Sequence, residues 1–130
     1  MEPVVAIPGA GLWRGSQVAG IADFAVDLDR AACATLEEAA VRLVAAGIDP
    51  VDAGPDELPL GDLGSTIEVV RHEALHGTGM VLLRGFPVGR LSGDEIAMFF
   101  WGIGLRLGRA VSQSVMGDRL GRVVDVTDVD

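Results

Sequence analysis

Three Ser/Thr-x-x-Glu motifs constrain the fold of this chain most strongly, because each is typical of a helix start. In such a capping box the hydroxyl accepts a hydrogen bond from a backbone N–H three residues on, and the glutamate reaches back to the cap residue. The pairs are Thr35 with Glu38, Ser65 with Glu68, and Ser92 with Glu95. A glycine follows each helical pattern and marks its end: Gly47, Gly77 and Gly108. The sequence therefore predicts three helices.

Short apolar runs between and after these helices predict strands. The unbroken run Met80-Val81-Leu82-Leu83 indicates a strand buried on both faces. Gly85-Phe86-Pro87 then predicts a turn. Residues 111–115 and 120–126 resemble two strands of a hairpin joined near Gly117. The proline-rich and glycine-rich residues 49–64 are predicted to be a connector.

The third predicted helix, residues 93–107, is strongly apolar. One stripe contains Ile96, Phe99, Phe100, Ile103 and Leu107, as expected for a core-facing surface. Met98 and Trp101 lie off that stripe. We therefore expect this helix to contact protein on a second side, with more apolar surface than the rest of the chain covers.

Composition excludes several classes of function. The chain has 130 residues, 49% of them hydrophobic, and a net charge of -9, so it can bury one core. The ten basic residues are all arginine, which suggests a GC-rich bacterial gene, and residues 1–70 hold 12 acids against 3 arginines. No basic stripe exists to collect a phosphate backbone, so we expect no nucleic-acid binding. No apolar run is long enough for a membrane span, no secretory signal is visible, and a single cysteine fits a reducing cytoplasm; we expect a cytoplasmic protein.

The sequence His72-Glu73-Ala74-Leu75-His76 matches the HExxH pattern, in which two histidines bind zinc and the glutamate acts as a base. A zinc hydrolase is therefore one hypothesis. On a helical wheel, however, Leu63, Ile67, Val70 and Ala74 cluster on one face, and the histidines lie roughly opposite. The chain has no third histidine. We expect His72 and His76 to be exposed surface residues.

Three other patterns are weaker. The glycine-rich turn after Val4–Ile7 resembles a dinucleotide-binding start, but Arg14 occupies the place of the third glycine. Asp125, Asp128 and Asp130 lack the glycine and downstream glutamate of a calcium loop. Cys33 has no histidine near it in sequence, so we do not expect a nucleophile. A P-loop is excluded because the chain has no lysine.

From Leu12-Trp13-Arg14-Gly15 onward, the chain resembles the N-terminal part of the TauD/TfdA family, the taurine-dioxygenase-like Fe(II)/2-oxoglutarate oxygenases. The other segments that carry the resemblance are Gly-Thr-Gly-Met-Val-Leu-Leu-Arg-Gly-Phe-Pro at 77–87 and Trp-Gly-Ile-Gly-Leu-Arg-Leu-Gly through Val-Ser-Gln-Ser at 101–114. Gly117-Asp118 and Val123-Val124-Asp125 continue it. The resemblance is patchy before residue 60 and dense from 77 to 125.

This resemblance implies an α+β domain containing part of a double-stranded β-helix, or jelly roll. It also implies oxidation of a small molecule coupled to conversion of 2-oxoglutarate to succinate and CO₂. The family holds Fe(II) with a His-x-Asp/Glu pair and a distant His. This chain contains no His-x-Asp or His-x-Glu, so no catalytic residue or metal ligand can be assigned. Only Ser112, Gln113 and Ser114 are placed by resemblance, near the substrate mouth, with a structural role as the alternative.

The sequence thus predicts one partial domain over residues 1–130. Residues 1–60 form an N-terminal arm and the first helix, and residues 61–130 form the helix-strand-helix-hairpin start of a jelly roll. We expect neither Fe(II) nor 2-oxoglutarate to bind this chain alone, and we expect it to be inactive. Self-association through uncovered strands and helix 93–107 is possible. The alternative is a non-catalytic remnant or partner-binding module.

Overall fold

The computed structural model describes residues 8–127 and shows an α+β arrangement. Within that range, two short strands and three helices follow one another along the chain. They are β1 (Ala25–Asp27), α1 (Ala34–Ala45), α2 (Gly64–His76), β2 (Leu82–Arg84) and α3 (Gly93–Leu107). Single turns of 3-10 helix cover Gly15–Gln17, Ile21–Asp23, Pro50–Asp52 and Gly61–Leu63. None of the helices in this part of the chain is long and apolar enough to cross a membrane.

The three predicted helices are present, but only one begins with its predicted cap. At α3, the Ser92 hydroxyl accepts a hydrogen bond from the Glu95 N–H, and the Ser92 N–H donates to the Glu95 carboxylate. Helix α1 begins one residue earlier than Thr35, after Cys33, and α2 begins after Leu63. Because Thr35 and Ser65 already lie inside these helices, their hydroxyls cannot serve as caps. The predictions of those two capping boxes were wrong.

Strand β2 pairs with β1 in a parallel ladder, with Ala25 opposite Leu82 and Asp27 opposite Arg84. The long connection between the strands contains α1 and α2, as parallel pairing requires. The predicted strand at 80–83 is thus displaced to Leu82–Arg84. It is not buried on both faces, because Leu82 is 39% exposed and only Leu83 packs against the core. The sheet is thus largely open to solvent, since Asp27, Leu82 and Arg84 are exposed and no strand residue is fully buried.

The chain turns after β2, but slightly later than predicted: Gly85-Phe86-Pro87 lead into a turn at residues 88–90, closed by a hydrogen bond of 3.0 Å from the Arg90 N–H to the Pro87 carbonyl. The start of this segment requires glycine. Gly85 has a φ of 92°, a conformation that L side chains rarely adopt. A Cβ atom there would lie 2.7 Å from the carbonyl oxygen of Leu28, which follows β1. Strand β2 therefore leaves the sheet in direct contact with the backbone of its neighbour.

Helix α3 lies at the centre of the core and packs against α1 and α2. Phe99 and Ile103 are buried as the stripe predicts, but Phe100 is 51% exposed. Met98 and Trp101, which lie off the stripe, are buried. The second contact side was therefore predicted correctly, and this chain itself covers it.

Residues 49–64, predicted as a connector, contribute to the same core. Ala53, Leu58, Leu60 and Leu63 are all buried. The Trp101 indole N–H donates a hydrogen bond of 3.0 Å to the Ala53 carbonyl, which holds this segment against α3. We call α1, α2, α3 and residues 50–63 the helical core.

The hairpin predicted at 111–115 and 120–126 is absent from the described structure. A turn does form at the predicted place, with a hydrogen bond of 3.1 Å from the Gly117 N–H to the Ser114 carbonyl, but neither flanking segment is a strand. An isolated two-stranded hairpin is marginally stable unless it packs on a further strand or helix. We call residues 109–127 the arm. The jelly roll itself stays a prediction.

Candidate functional site

The residues placed by resemblance, Ser112 to Ser114, lie in the arm and are exposed. Their hydrogen bonds are local. The Ser112 hydroxyl donates to the Ser114 carbonyl at 2.9 Å, and the Ser114 hydroxyl donates to the Asp118 carboxylate at 2.7 Å. The Gln113 side-chain amide donates to the Val111 carbonyl at 3.1 Å. These bonds shape the turn, and a role at a substrate mouth stays a prediction.

The arm combines apolar side chains with unpaired backbone. Within the described residues, no backbone–backbone hydrogen bond involves positions 119–126. Several of the arm's large apolar side chains are nonetheless more than half exposed: Val111, Val115, Met116, Val123, Val124 and Val126. Backbone polar groups normally find partners, and apolar side chains favour burial. The arm therefore leaves apolar side chains and part of its backbone exposed to solvent.

A groove runs between the end of α3 and the arm. Two adjoining hollows, of about 340 and 810 Å³, share six lining residues. These are Trp101, Leu105, Gly108, Arg109, Ala110 and Arg119. Leu120 closes the smaller hollow, and Ser112 lies at the rim of the larger one. We call this the two-arginine groove.

The charge of the two-arginine groove is opposite to that of the protein. No aspartate or glutamate lines either hollow, although the whole chain carries 19 acidic residues against 10 arginines. Neither Arg109 nor Arg119 forms a hydrogen bond or an ion pair with another side chain in the described range. The smaller hollow is thus mainly apolar, the larger one is mixed, and both are lined by the same two positively charged side chains.

The neighbouring arginines are already engaged. Arg106 donates to the carbonyls of Gly102 at 3.0 Å and of Pro55 at 2.8 Å, and burial lowers the pKa of its guanidinium. Arg122 is paired with Asp94 at the start of α3. These two side chains attach the connector and the arm to α3. Arg109 and Arg119 have no such structural role.

The HExxH histidines lie on the outer face of α2, as the helical wheel predicts. His72 and His76 are both exposed, and their ring centroids are 5.4 Å apart. The opposite face buries Ile67 and Val70, whereas Ala74 is exposed, contrary to the prediction. Among the described residues, no group of three or more His, Cys, Asp or Glu is arranged to hold a metal ion.

Cys33 is fully buried at the start of α1. Burial raises the pKa of its thiol, and the nearby Glu37 carboxylate raises it further. A buried thiol with a raised pKa is a poor nucleophile at neutral pH.

Two other patterns from the sequence lie partly outside the described residues. They are the dinucleotide-like turn, at Val4 to Ile7, and the aspartate cluster, at Asp128 and Asp130.

No family model matches this sequence. The chain is similar to FR-33289 synthase of Streptomyces rubellomurinus (strain ATCC 31215), with 30% identity over 119 residues. The aligned region covers 92% of this chain and 35% of that protein, so the chain spans about a third of the length of the relative it matches. The similarity therefore relates this chain to only part of that protein.

The two-arginine groove was not predicted from the sequence. Arg109 and Arg119 are ten positions apart in segments without regular periodicity, so no pattern links them. A weak signal was present, because both arginines directly adjoin apolar residues, Ala110 and Leu120, that pack against the core. Only the return of the arm across the end of α3 brings the two charges to one groove.

Proposed function

We propose that this chain is the N-terminal segment of an Fe(II)/2-oxoglutarate-dependent dioxygenase that oxidises a small molecule. The observation that carries the proposal is the similarity to FR-33289 synthase along nearly the whole chain but only about a third of that enzyme. The motifs at 77–87 and 101–114, which resemble the TauD/TfdA family, supply the reaction type. An incomplete jelly roll that the remaining segment would finish is part of the same proposal.

The described residues do not fit an iron centre. A facial triad needs two histidines and a carboxylate converging on one point. His72 and His76 are solvent-exposed on the outer face of α2, and no third ligand joins them within residues 8–127. We therefore assign no catalytic role to this pair and place the iron ligands outside this segment.

We propose that the remaining segment packs against the arm. It presents exposed apolar side chains next to backbone groups without partners, which is the surface that a further strand would cover. In the absence of that segment, the same surface would favour association with a second copy. The helical core, in contrast, has Phe100 as the one large apolar side chain of α3 that is exposed. A partner-binding module built on α3 alone is therefore the weaker alternative.

The test is a chimera that joins residues 1–127 to the part of FR-33289 synthase that lies outside the match. We expect the 130-residue chain, given Fe(II), ascorbate and 2-oxoglutarate, to release no succinate above a protein-free control. We expect the chimera to bind iron and release succinate.

A control variant addresses the histidines. If the short chain formed succinate and the double change His72→Ala, His76→Ala abolished it, these residues would be metal ligands and the proposal would fail. A chimera that folds and binds iron but forms no succinate would also count against it.

A further inference from the structure

The two-arginine groove is the strongest unassigned feature of the molecule. Apolar residues that line its smaller hollow include Trp101 and Leu105 from α3, and Ala110 and Leu120 from the arm. Small-molecule sites are concave, mostly apolar and of about 300–1,000 Å³, with a few polar groups that fix orientation. The groove has this size. Its smaller hollow is mainly apolar, its larger one is mixed, and the two charged side chains that line both hollows have the same sign.

Electrostatics decide what kind of molecule fits. Two guanidinium groups that line one groove repel each other, and no acidic residue in the lining offsets that repulsion. A bound anion would relieve it, because arginine binds carboxylate and phosphate groups with two parallel hydrogen bonds. A general excess of positive charge does not explain why two arginines line one groove, since acidic residues outnumber arginines almost two to one in this chain.

We propose that the two-arginine groove binds a small organic anion with an apolar body. The anionic group would lie between Arg109 and Arg119, with the Ser112 hydroxyl at the rim as a further donor. The apolar body would pack against Trp101 and Leu105. The assignment of this anion as the substrate rests on the proposed oxygenase function, whereas binding to the groove does not.

The test uses the full 130-residue chain and four probes. Phenyl phosphate and phenylacetate carry both an apolar ring and an anionic group, benzyl alcohol carries the ring alone, and inorganic phosphate the charge alone. Binding is measured by isothermal titration calorimetry and by amide chemical-shift changes. We expect one or both aromatic anions to bind, to shift the Trp101 indole N–H, and to bind at least about tenfold more tightly than benzyl alcohol or inorganic phosphate.

The variants separate specific contacts from general charge. The double variant Arg109→Gln, Arg119→Gln should bind the aromatic anion about tenfold or more weakly than the wild type. The double variant Arg109→Lys, Arg119→Lys should bind it more tightly than the glutamine variant but less tightly than the wild type. Arg71→Gln removes an equal charge from the exposed face of α2 and should change nothing. If the double glutamine variant loses helical circular dichroism, the single variant Arg119→Gln decides, because Arg119 lies farther from the end of α3 than Arg109 does.

Four results would overturn the inference. They are no saturable binding of either aromatic anion, equal binding of benzyl alcohol, unchanged affinity in the glutamine variants, and an equal loss in Arg71→Gln. The chimera separates this failure from that of the proposed function. Succinate release without anion binding at the groove would refute only the site, and binding without succinate release would refute only the oxygenase assignment.

Discussion

The helical core and the arm use similar amounts of apolar sequence in opposite ways. In the core, Leu36, Leu58, Leu63, Ile67 and Phe99 are at most 1% exposed. In the arm, Val115 and Val123 are fully exposed. Helices satisfy their own backbone hydrogen bonds, so they need only apolar contacts to become stable, whereas strands need neighbours for both. The core therefore buries most of its large apolar side chains, whereas the arm leaves most of its own exposed.

The largest expected effect separates two adjacent phenylalanines in α3. Phe99 is fully buried, and its ring packs edge-on to Phe86 with centroids 5.4 Å apart, whereas Phe100 is half exposed. Phe99→Ala should lower the free energy of unfolding by about 3–5 kcal/mol, because it leaves a cavity. Phe100→Ala should cost about 1 kcal/mol or less. Urea unfolding followed by circular dichroism measures both, and equal losses would mean that the core is not packed as described.

A glycine pair in the same helix tests the crossing of α1 and α3. A Cβ at Gly102 would lie 2.8 Å from the Leu36 Cδ1 atom, whereas a Cβ at Gly104 would meet nothing within 4 Å. Gly102→Ala should therefore destabilise the protein by about 1–3 kcal/mol through overpacking. Gly104→Ala should stabilise it by about 0.5–1 kcal/mol through helix propensity. If both variants were more stable than the wild type, or both less stable, the close packing of α1 against α3 at Gly102 would be contradicted.

The helix starts offer a smaller contrast. The Ser92 hydroxyl caps α3, so Ser92→Ala should cost about 1 kcal/mol. Thr35 lies inside α1 without a capping hydrogen bond, so Thr35→Ala should change the free energy of unfolding by less than about 0.5 kcal/mol. Thermal and urea unfolding of the two variants provides the comparison. A larger loss of unfolding free energy for Thr35→Ala than for Ser92→Ala would mean that Thr35 caps α1 after all.

The exposed histidines should matter still less. Because His72 and His76 lie on the outer face of α2, changing both to alanine should alter stability by no more than about 0.5 kcal/mol. Zinc titration of the wild type and of the double variant is the accompanying measurement. Stoichiometric zinc binding at sub-micromolar affinity, lost in the double variant, would make the pair a metal site.

The smallest effect on unfolding is expected in the arm. Val123→Thr, Val124→Thr and Val126→Thr replace exposed side chains that are not part of the buried core, so the free energy of unfolding should stay within about 0.5 kcal/mol of wild type. Self-association, measured by sedimentation velocity, should fall. A wild-type chain that is monodisperse and monomeric would show that the arm does not mediate self-association.

Local sequence signals determined the helical part of this protein. Ser/Thr-x-x-Glu motifs and terminal glycines predicted α1, α2 and α3, although only the Ser92–Glu95 motif acts as a cap. The wheel predicted the exposure of His72 and His76. These features depend on residues within a few positions of one another. The start of α3 was predicted down to its capping pair, because Ser92 has an extended backbone and forms both capping hydrogen bonds with Glu95.

Tertiary structure decided the rest. Phe100 belongs to the apolar stripe but is exposed, and Trp101 lies off the stripe but is buried, because residues 50–63 fold back against that side of α3. Residues 111–115 and 120–126 have the composition of strands but lack hydrogen-bonding neighbours in the described chain. Arg109 and Arg119 come together only where the arm returns across the end of α3. Helices form from local hydrogen bonds, whereas strands, grooves and charge clusters depend on segments distant in sequence, and no local pattern reports which segments will meet.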